Sequence, residues 1–242
     1  MRIGIAQTRP VMGDIPANIE AHIRCIMLAS TVQAEALFFP ELSLTGYELA
    51  LANALATDQD DVRLDALQRT SDDLGIIIGA GLPTRAGTDV RISMVILEPH
   101  RPRRTYSKQH LHVDEYTYFR PGVGQVMIST ATTVIAPAIC FESLLPAHAA
   151  KAFRLGADVY LASVSKSERG VAKAHDHYAT IAKQYGKPVG MCISIGPCDN
   201  FVSGGRSAVW TREGIMAGQL TPHEEGILVF DTVTGEVTRR TL

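Results

Sequence analysis

The apolar positions of this chain fall into short continuous runs, alternating stretches and helically spaced sets, and each kind predicts a different element. Arg2 to Gln7 is apolar at alternate positions and predicts a strand. Ile19, Ile23, Ile26 and Met27 recur at helical spacing behind Asp14 or Asn18, either of which can cap a helix. Ala36 to Phe39 is a buried strand stopped by Pro40. Val62, Leu64, Leu67 and Leu74 predict a helix from Asp60 to Leu74, with Gly75 at its C-terminal end. Ile76 to Ala80 predicts a third buried strand, and Val90 to Leu97 one covered on a single face.

A basic turn, Arg101 to Arg104, leads through Thr105-Tyr106-Ser107 to Lys108 and a polar connection from His110 to Gly124. Val134 to Ile139, broken only by Pro137, predicts a strand, and Glu142 to Leu155 a helix. Further strands are expected at Ala157 to Ala162, Val189 to Ile195 and Arg206 to Thr211, with a helix at Val171 to Tyr185. Gly226 to Phe230 and Glu236 to Arg239 read as an antiparallel pair around Thr232 to Gly235. Strands alternate with helices first and turn antiparallel later. That order predicts an α/β protein whose mixed sheet or sheets are covered by helices. No repeat, low-complexity tract or linker interrupts it, so residues 1–242 are read as a single domain.

Composition narrows the partners. The chain has 242 residues, 46% hydrophobic and 20% charged, enough for a sizeable core. Lys and Arg number 23 against 25 Asp and Glu, so no basic field argues for nucleic acid. No apolar run approaches a membrane span, and the first strand does not read as a secretory signal. Cys25, Cys140, Cys192 and Cys198 form no CxxC pair and no zinc spacing. They are read as reduced thiols of a cytoplasmic protein.

Three residues carry candidate chemistry. Cys140 stands where a strand gives way to a turn and a helix, so backbone N–H groups near the thiol would favour a thiolate and later an oxyanion. Glu41 also directly follows a buried strand; partial desolvation there raises a carboxyl pKa and suits it to general-base work. Lys108 would supply a fixed positive charge for the thiolate or for a tetrahedral intermediate. Spacing alone also admits a buried structural cysteine, a solvated loop acid and an exposed lysine. His175 and His177 flank Asp176, but i and i+2 side chains diverge on a helix, so a satisfied histidine at a surface or interface is expected rather than a metal ligand.

The sequence around these residues resembles the nitrilase, or carbon–nitrogen hydrolase, superfamily. Phe39-Pro40-Glu41-Leu42-Ser43-Leu44-Thr45-Gly46-Tyr47 is similar to its glutamate motif. Tyr106-Ser107-Lys108-Gln109-His110-Leu111, with Glu115 and Phe119-Arg120-Pro121-Gly122, resembles its lysine motif, and Ile139-Cys140-Phe141-Glu142 its cysteine motif. The opening strand, Gly204-Gly205-Arg206-Ser207 and Glu225-Gly226-Ile227-Leu228 fit the same layout, so the likeness covers nearly the whole chain. It implies a four-layer α-β-β-α sandwich that commonly forms homodimers or higher homo-oligomers and needs no metal or organic cofactor. It implies Cys140 as nucleophile and Glu41 as general base. Lys108 with the Phe141 N–H would hold the oxyanion, and Glu115 would be a supporting acid.

The chain departs from its relatives in places. Phe141-Glu142-Ser143 replaces the more usual aromatic-Asp run, and Ile181-Ala182-Lys183-Gln184-Tyr185 replaces a common Arg-Ala-x-Glu-Asn segment. The acyltransferase branch needs membrane spans absent here, and true nitrilases usually carry Trp after the cysteine and a longer C-terminal region. A small amide is therefore expected as substrate. A nitrile, an N-carbamoyl amide, or a non-catalytic binding role on the same fold are the alternatives. Ser163 and Ser165 stand near the expected crevice at a strand end, and Ser165 or Lys166 is expected to contact substrate.

Overall fold

In the computed structural model, which describes residues 1–242, β1 (Arg2–Gln7) is buried from Ile3 onward. Asp14 caps α1 (Ile15–Ser30), accepting the Ala17 N–H at 3.0 Å, and Pro16 sits in the first turn, where its missing N–H costs nothing. The helix buries Ile15, Ile19, His22, Cys25, Ile26 and Ala29. Met27, expected on that face, is instead 50% exposed. Asn18 is inside the helix, where its amide bonds Val11 and Leu44.

Next come β2 (Ala36–Phe38), the single turn α2 (Ala52–Leu55) and α3 (Asp65–Leu74). The expected helix from Asp60 begins late. Val62–Leu64 is a 3-10 turn capped by Asp61, and Val62 faces solvent. Gly75 ends α3 at φ 68°, a left-handed conformation that glycine adopts without penalty. β3 (Ile77–Ala86) outruns its apolar core because it pairs along its length with β4 (Asp89–Leu97). β5 (Arg104–Ser107) then pairs with β4 and delivers the chain to Lys108.

The second half holds β6 (Ile128–Ser129), β7 (Val134–Ile139), α4 (Pro146–Arg154) and β8 (Val159–Val164). It continues with α5 (Glu168–Tyr185), β9 (Val189–Ile193), β10 (Ile195–Cys198) and β11 (Phe201–Gly204). β12 (Ala208–Trp210), β13 (Met216–Gln219), β14 (Gly226–Asp231) and β15 (Val237–Thr241) close the chain. The helix expected over Glu142 to Leu155 is divided. Cys140–Leu144 is a 3-10 turn, Leu145 is extended at ψ 118° as the residue before a proline favours, and α4 starts at Pro146.

One sheet runs β15-β14-β1-β2-β3-β4-β5 and the other β13-β12-β9-β8-β7-β6, with β10 and β11 as a separate hairpin. Ile3, Ile5 and Phe38 of the first sheet pack with Ile135, Tyr160 and Met191 of the second. On the outer face of the first sheet, Leu37, Ile78 and Val95 pack against Ile19, Ile26 and Leu67 of α1 and α3. Helix α5 packs Val171, Ala174 and Tyr178 against the second sheet. The result is the four-layer α-β-β-α sandwich that the motifs implied. No helix is long and apolar enough to cross a membrane.

Two parallel sets, β1-β2-β3 and β7-β8-β9, fix where the site lies. Ser163 Oγ at the end of β8 and Cys192 Sγ in β9 both donate to the Phe39 carbonyl, just past β2. The C-terminal ends of the two parallel sets therefore meet across the sandwich. Glu41, Cys140 and Ser165 all follow strands that finish there.

Candidate active site

Glu41 sits in a turn that the fold holds from three sides. Leu42 has φ 51°, and Ser43 Oγ accepts the Gly81 N–H of β3 at 3.1 Å. The same hydroxyl donates to His22 Nε2 at 2.9 Å, while His22 Nδ1 donates to the Asn18 carbonyl at 2.7 Å. Burial drops the His22 pKa to about 3, so the imidazole stays neutral and keeps that acceptor. Gly81 lies against this turn so closely that a Cβ there would be 2.5 Å from the Leu42 nitrogen. Close backbone approach, not a turn, is why that position is glycine.

Lys108 follows β5 and is fully buried between two carboxylates. Its Nζ donates to Glu41 Oε1 at 2.8 Å and to Glu115 Oε1 at 2.6 Å. Glu115 lies in the 3-10 turn Val113–Thr117, where its Oε2 accepts the His112 N–H at 2.7 Å and its Oε1 the Tyr47 hydroxyl at 2.9 Å. Burial alone would pull the Lys108 pKa down, but Glu41, Cys140 and Glu115 around it raise it, so the ammonium keeps its charge. Burial pushes Glu41 up to about 7; Lys108 opposes that shift and Glu115 adds to it. Glu41 Oε2 is buried with no hydrogen-bond partner. One oxygen of this carboxylate is thus fixed by Lys108, and the other is free to take a proton.

Cys140 caps β7 at φ 48°, a left-handed conformation uncommon for cysteine and characteristic of strained functional turns. Ser143 Oγ bonds the Cys140 carbonyl and, at 2.6 Å, the Tyr178 hydroxyl, which pins the turn to α5. The thiol is within 3.4 Å of the Ser165 carbonyl and 3.5 Å of Lys166 Nζ. Helix-terminus stabilisation of a resting thiolate, expected from the sequence, is not what this environment gives. The helical turn after Cys140 is a five-residue 3-10 segment, and burial with Glu41 nearby pushes the thiol pKa up, against the pull of Lys166 and Lys108. A thiolate here requires a base.

Glu41, Lys108, Glu115 and Cys140 are thus brought into one buried cluster. Ser165 borders it through its own carbonyl, and its hydroxyl is 3.4 Å from the Glu41 carbonyl. Ser163 does not face the crevice, because its hydroxyl is committed to Phe39 between the sheets. The Phe141 ring meets His112 edge-on at 5.5 Å. His175 and His177 each bond a backbone carbonyl, of Arg206 and Ser143, as satisfied histidines rather than a ligand pair. A cavity of about 320 Å³ beside Trp210, Arg212 and Asp231 lies apart from these residues.

Two supports escaped sequence reasoning. Tyr47 is in the glutamate motif, but its bond to Glu115 spans 68 residues and no local spacing signals it. Glu142 accepts from the Ile139 N–H at 2.8 Å, the Gln109 N–H at 2.6 Å and the Tyr106 hydroxyl at 2.6 Å. Its place two residues after the candidate nucleophile was the available signal.

Helix-covered sheets in four layers, with a cysteine, a lysine and two glutamates gathered at the strand ends, define an enzyme of the nitrilase-superfamily type. The chain belongs to the carbon–nitrogen hydrolase family, whose sequence profile matches residues 2–240. It is 25% identical over its whole length to a glutamine-dependent NAD(+) synthetase of Thermotoga maritima, covering 44% of that protein. It is also 28% identical to the omega-amidase YafV of Escherichia coli, over 60% of this chain and 56% of that one. The chain thus spans about half the length of the curated relatives it matches. Among solved structures, an amidase from Nesterenkonia sp. AN1 superposes with a TM-score of 0.86 at 24% identity, over 96% of this chain and 92% of the other. That likeness establishes the shared fold. In one crystal of that amidase, acrylamide has added to the active-site cysteine.

Proposed function

We propose that this protein hydrolyses the C–N bond of a small amide through a thioester on Cys140. Glu41 takes the thiol proton, and the sulfur attacks the amide carbonyl carbon. The oxyanion that forms is met by the Lys108 ammonium and the Phe141 backbone N–H. Collapse breaks the C–N bond, and the proton held by Glu41 leaves on the nitrogen as ammonia or amine. Glu41 then takes a proton from water, whose oxygen attacks the thioester. The acid departs and the proton returns to the sulfur. Glu115 keeps Lys108 in place rather than touching substrate.

The observation that carries this reading is the division of labour within Glu41. Oε1 is held by Lys108, while Oε2 is buried and unpartnered in a carboxylate whose pKa burial lifts to about 7. A structural ion pair would gain from satisfying both oxygens. The reading also takes residues 1–242 as one hydrolase domain, working without cofactor as a cytoplasmic homodimer or higher homo-oligomer. Ammonia release from a panel of small amides, nitriles, carbamoyl compounds and glutamine tests it. Turnover of an amide by the wild type, lost in Cys140→Ala, supports the reading; a panel with no Cys140-dependent release contradicts it.

A further inference from the structure

Lys108 is the cation of the buried cluster, and two carboxylates hold it. Lys166 is a second cation at the same thiol, and no carboxylate pairs with it. Its backbone is fixed: the Lys166 carbonyl accepts the Gly204 N–H at 2.8 Å and the Ser203 hydroxyl at 3.4 Å. Its stem lies over the first turn of α5, where Gly170 leaves room; a Cβ at Gly170 would be 3.3 Å from Lys166 Cβ. The only side-chain bond of its ammonium is to Cys140 Sγ at 3.5 Å. Glu41, Lys108 and Glu115 are buried, whereas Lys166 is half-buried. The Lys166 ammonium therefore stands on the more exposed side of the nucleophile, the side open to the acyl portion of a substrate.

We propose that Lys166 receives a carboxylate carried on that acyl portion, so that the enzyme selects short amides of dicarboxylic acids over neutral amides. The proposal rests on the amidase reading above and specifies its substrate class. A half-buried ammonium whose one partner is a neutral thiol is incompletely satisfied, and a carboxylate offers the charge-assisted bonds it lacks. The thiol cannot fill that role at rest, because it holds its proton until Glu41 removes it. A stem set on a fixed backbone and packed on Gly170 presents the charge at one distance from the sulfur. That distance favours a carboxylate separated from the reacting carbonyl by a short chain.

Alkylation tests this without requiring turnover. Iodoacetate and iodoacetamide react at the same sulfur with the same loss of iodide, and differ in carrying a carboxylate or a neutral amide. The expected ratio of iodoacetate to iodoacetamide rates at Cys140, read by peptide mass, exceeds that of 2-mercaptoethanol. It falls about tenfold in Lys166→Met, is retained in Lys166→Arg, and declines with added salt. The matching kinetic comparison is kcat/KM for succinamate against 4-methylpentanamide, where Lys166→Met reduces the preference for succinamate mainly through KM. Equal slowing of both alkylating agents would overturn the proposal and assign Lys166 to the thiolate instead. A wild-type ratio no higher than that of the free thiol would also overturn it. An elevated ratio with no amide turned over would sustain the anion site while sinking the amidase reading.

Discussion

The backbone N–H of Gln109 donates to Glu142 Oε2 at 2.6 Å, which ties the residue after Lys108 to the turn that presents Cys140. The other oxygen of Glu142 accepts from Ile139, the residue before Cys140. One buried carboxylate thereby sets the spacing between the candidate nucleophile and the candidate oxyanion cation, although it touches neither.

Glu142→Gln replaces an acceptor by an NH2 group facing the N–H donors. It is expected to cost about 2 kcal/mol of stability and to lower kcat more than it raises KM. Chemical denaturation and steady-state kinetics on the same preparation check both parts. A variant with native stability and native kcat would show that the tie is dispensable.

Gly81→Ala tests how the Glu41 turn is seated. The new Cβ would meet Leu42 N at 2.5 Å and the Pro40 carbonyl at 2.6 Å, and neither backbone atom can swing aside. The turn must shift, and a misplacement of about 1 Å is enough to reduce kcat about 100-fold. Circular dichroism should show the fold retained while kcat drops; unchanged kcat would mean that the strand, not the turn, yields.

The pH dependence follows from the sign of the Glu41 shift. A base must be ionised to accept a proton, and burial lifts this one to about 7. The acid limb of kcat/KM is therefore expected near pH 7, with activity lost as protons fill Glu41 below it. Glu115 adds to the upward shift, so Glu115→Gln should move that limb to lower pH even as it loosens Lys108. A limb near the ordinary carboxylate value of about 4.3 would contradict the assignment.

Cysteine labelling separates the four thiols. Burial pushes Cys25 and Cys192 up to about 12 and Cys198 up to about 11, and all three are 1% exposed or less. Cys140 keeps 8% exposure and has Glu41 at hand. Iodoacetamide at neutral pH should label Cys140 in the native protein and leave the other three unmodified until it unfolds. Peptide mapping reads this directly, and uniform labelling would contradict it.

The strands most legible in the sequence were those buried on both faces, such as Val134–Ile139, because a continuous apolar run has one ready explanation. The extension of β3 beyond Ala80 was not legible, since Pro83 and Thr84 are held by pairing with Ile92 and Arg91. Val62 and Met27 fit helical spacing yet face water; periodicity names a face without saying where it ends. At the site, motif residues gave Glu41, Lys108, Glu115 and Cys140 as one set, and the strand ends explain how they meet. The burial that pushes the Cys140 thiol pKa up, against the pull of a short helical turn, is not displayed by one sequence, although the motifs already implied Glu41 as the base that takes its proton. Ser163 was misplaced for a related reason: strand-end position does not say which way a side chain points. The link from Gln109 to Glu142 joins elements 33 residues apart, beyond the reach of local pattern.

The central claim is that Glu41 exchanges protons with Cys140 and with water in a thioester cycle. Glu41→Gln keeps the size of the side chain and removes the base, and is expected to slow turnover by about 100- to 10,000-fold. Intact-mass measurement of both proteins, quenched during incubation with an amide the wild type hydrolyses, tests the claim most directly. The account predicts a mass increase equal to the acyl group on the wild type, confined to the Cys140 peptide and reversed by hydroxylamine, and a Glu41→Gln protein slowed in forming that adduct as well as in clearing it. A Glu41→Gln protein that turns over at the wild-type rate, or an acyl group found on any residue other than Cys140, would contradict it.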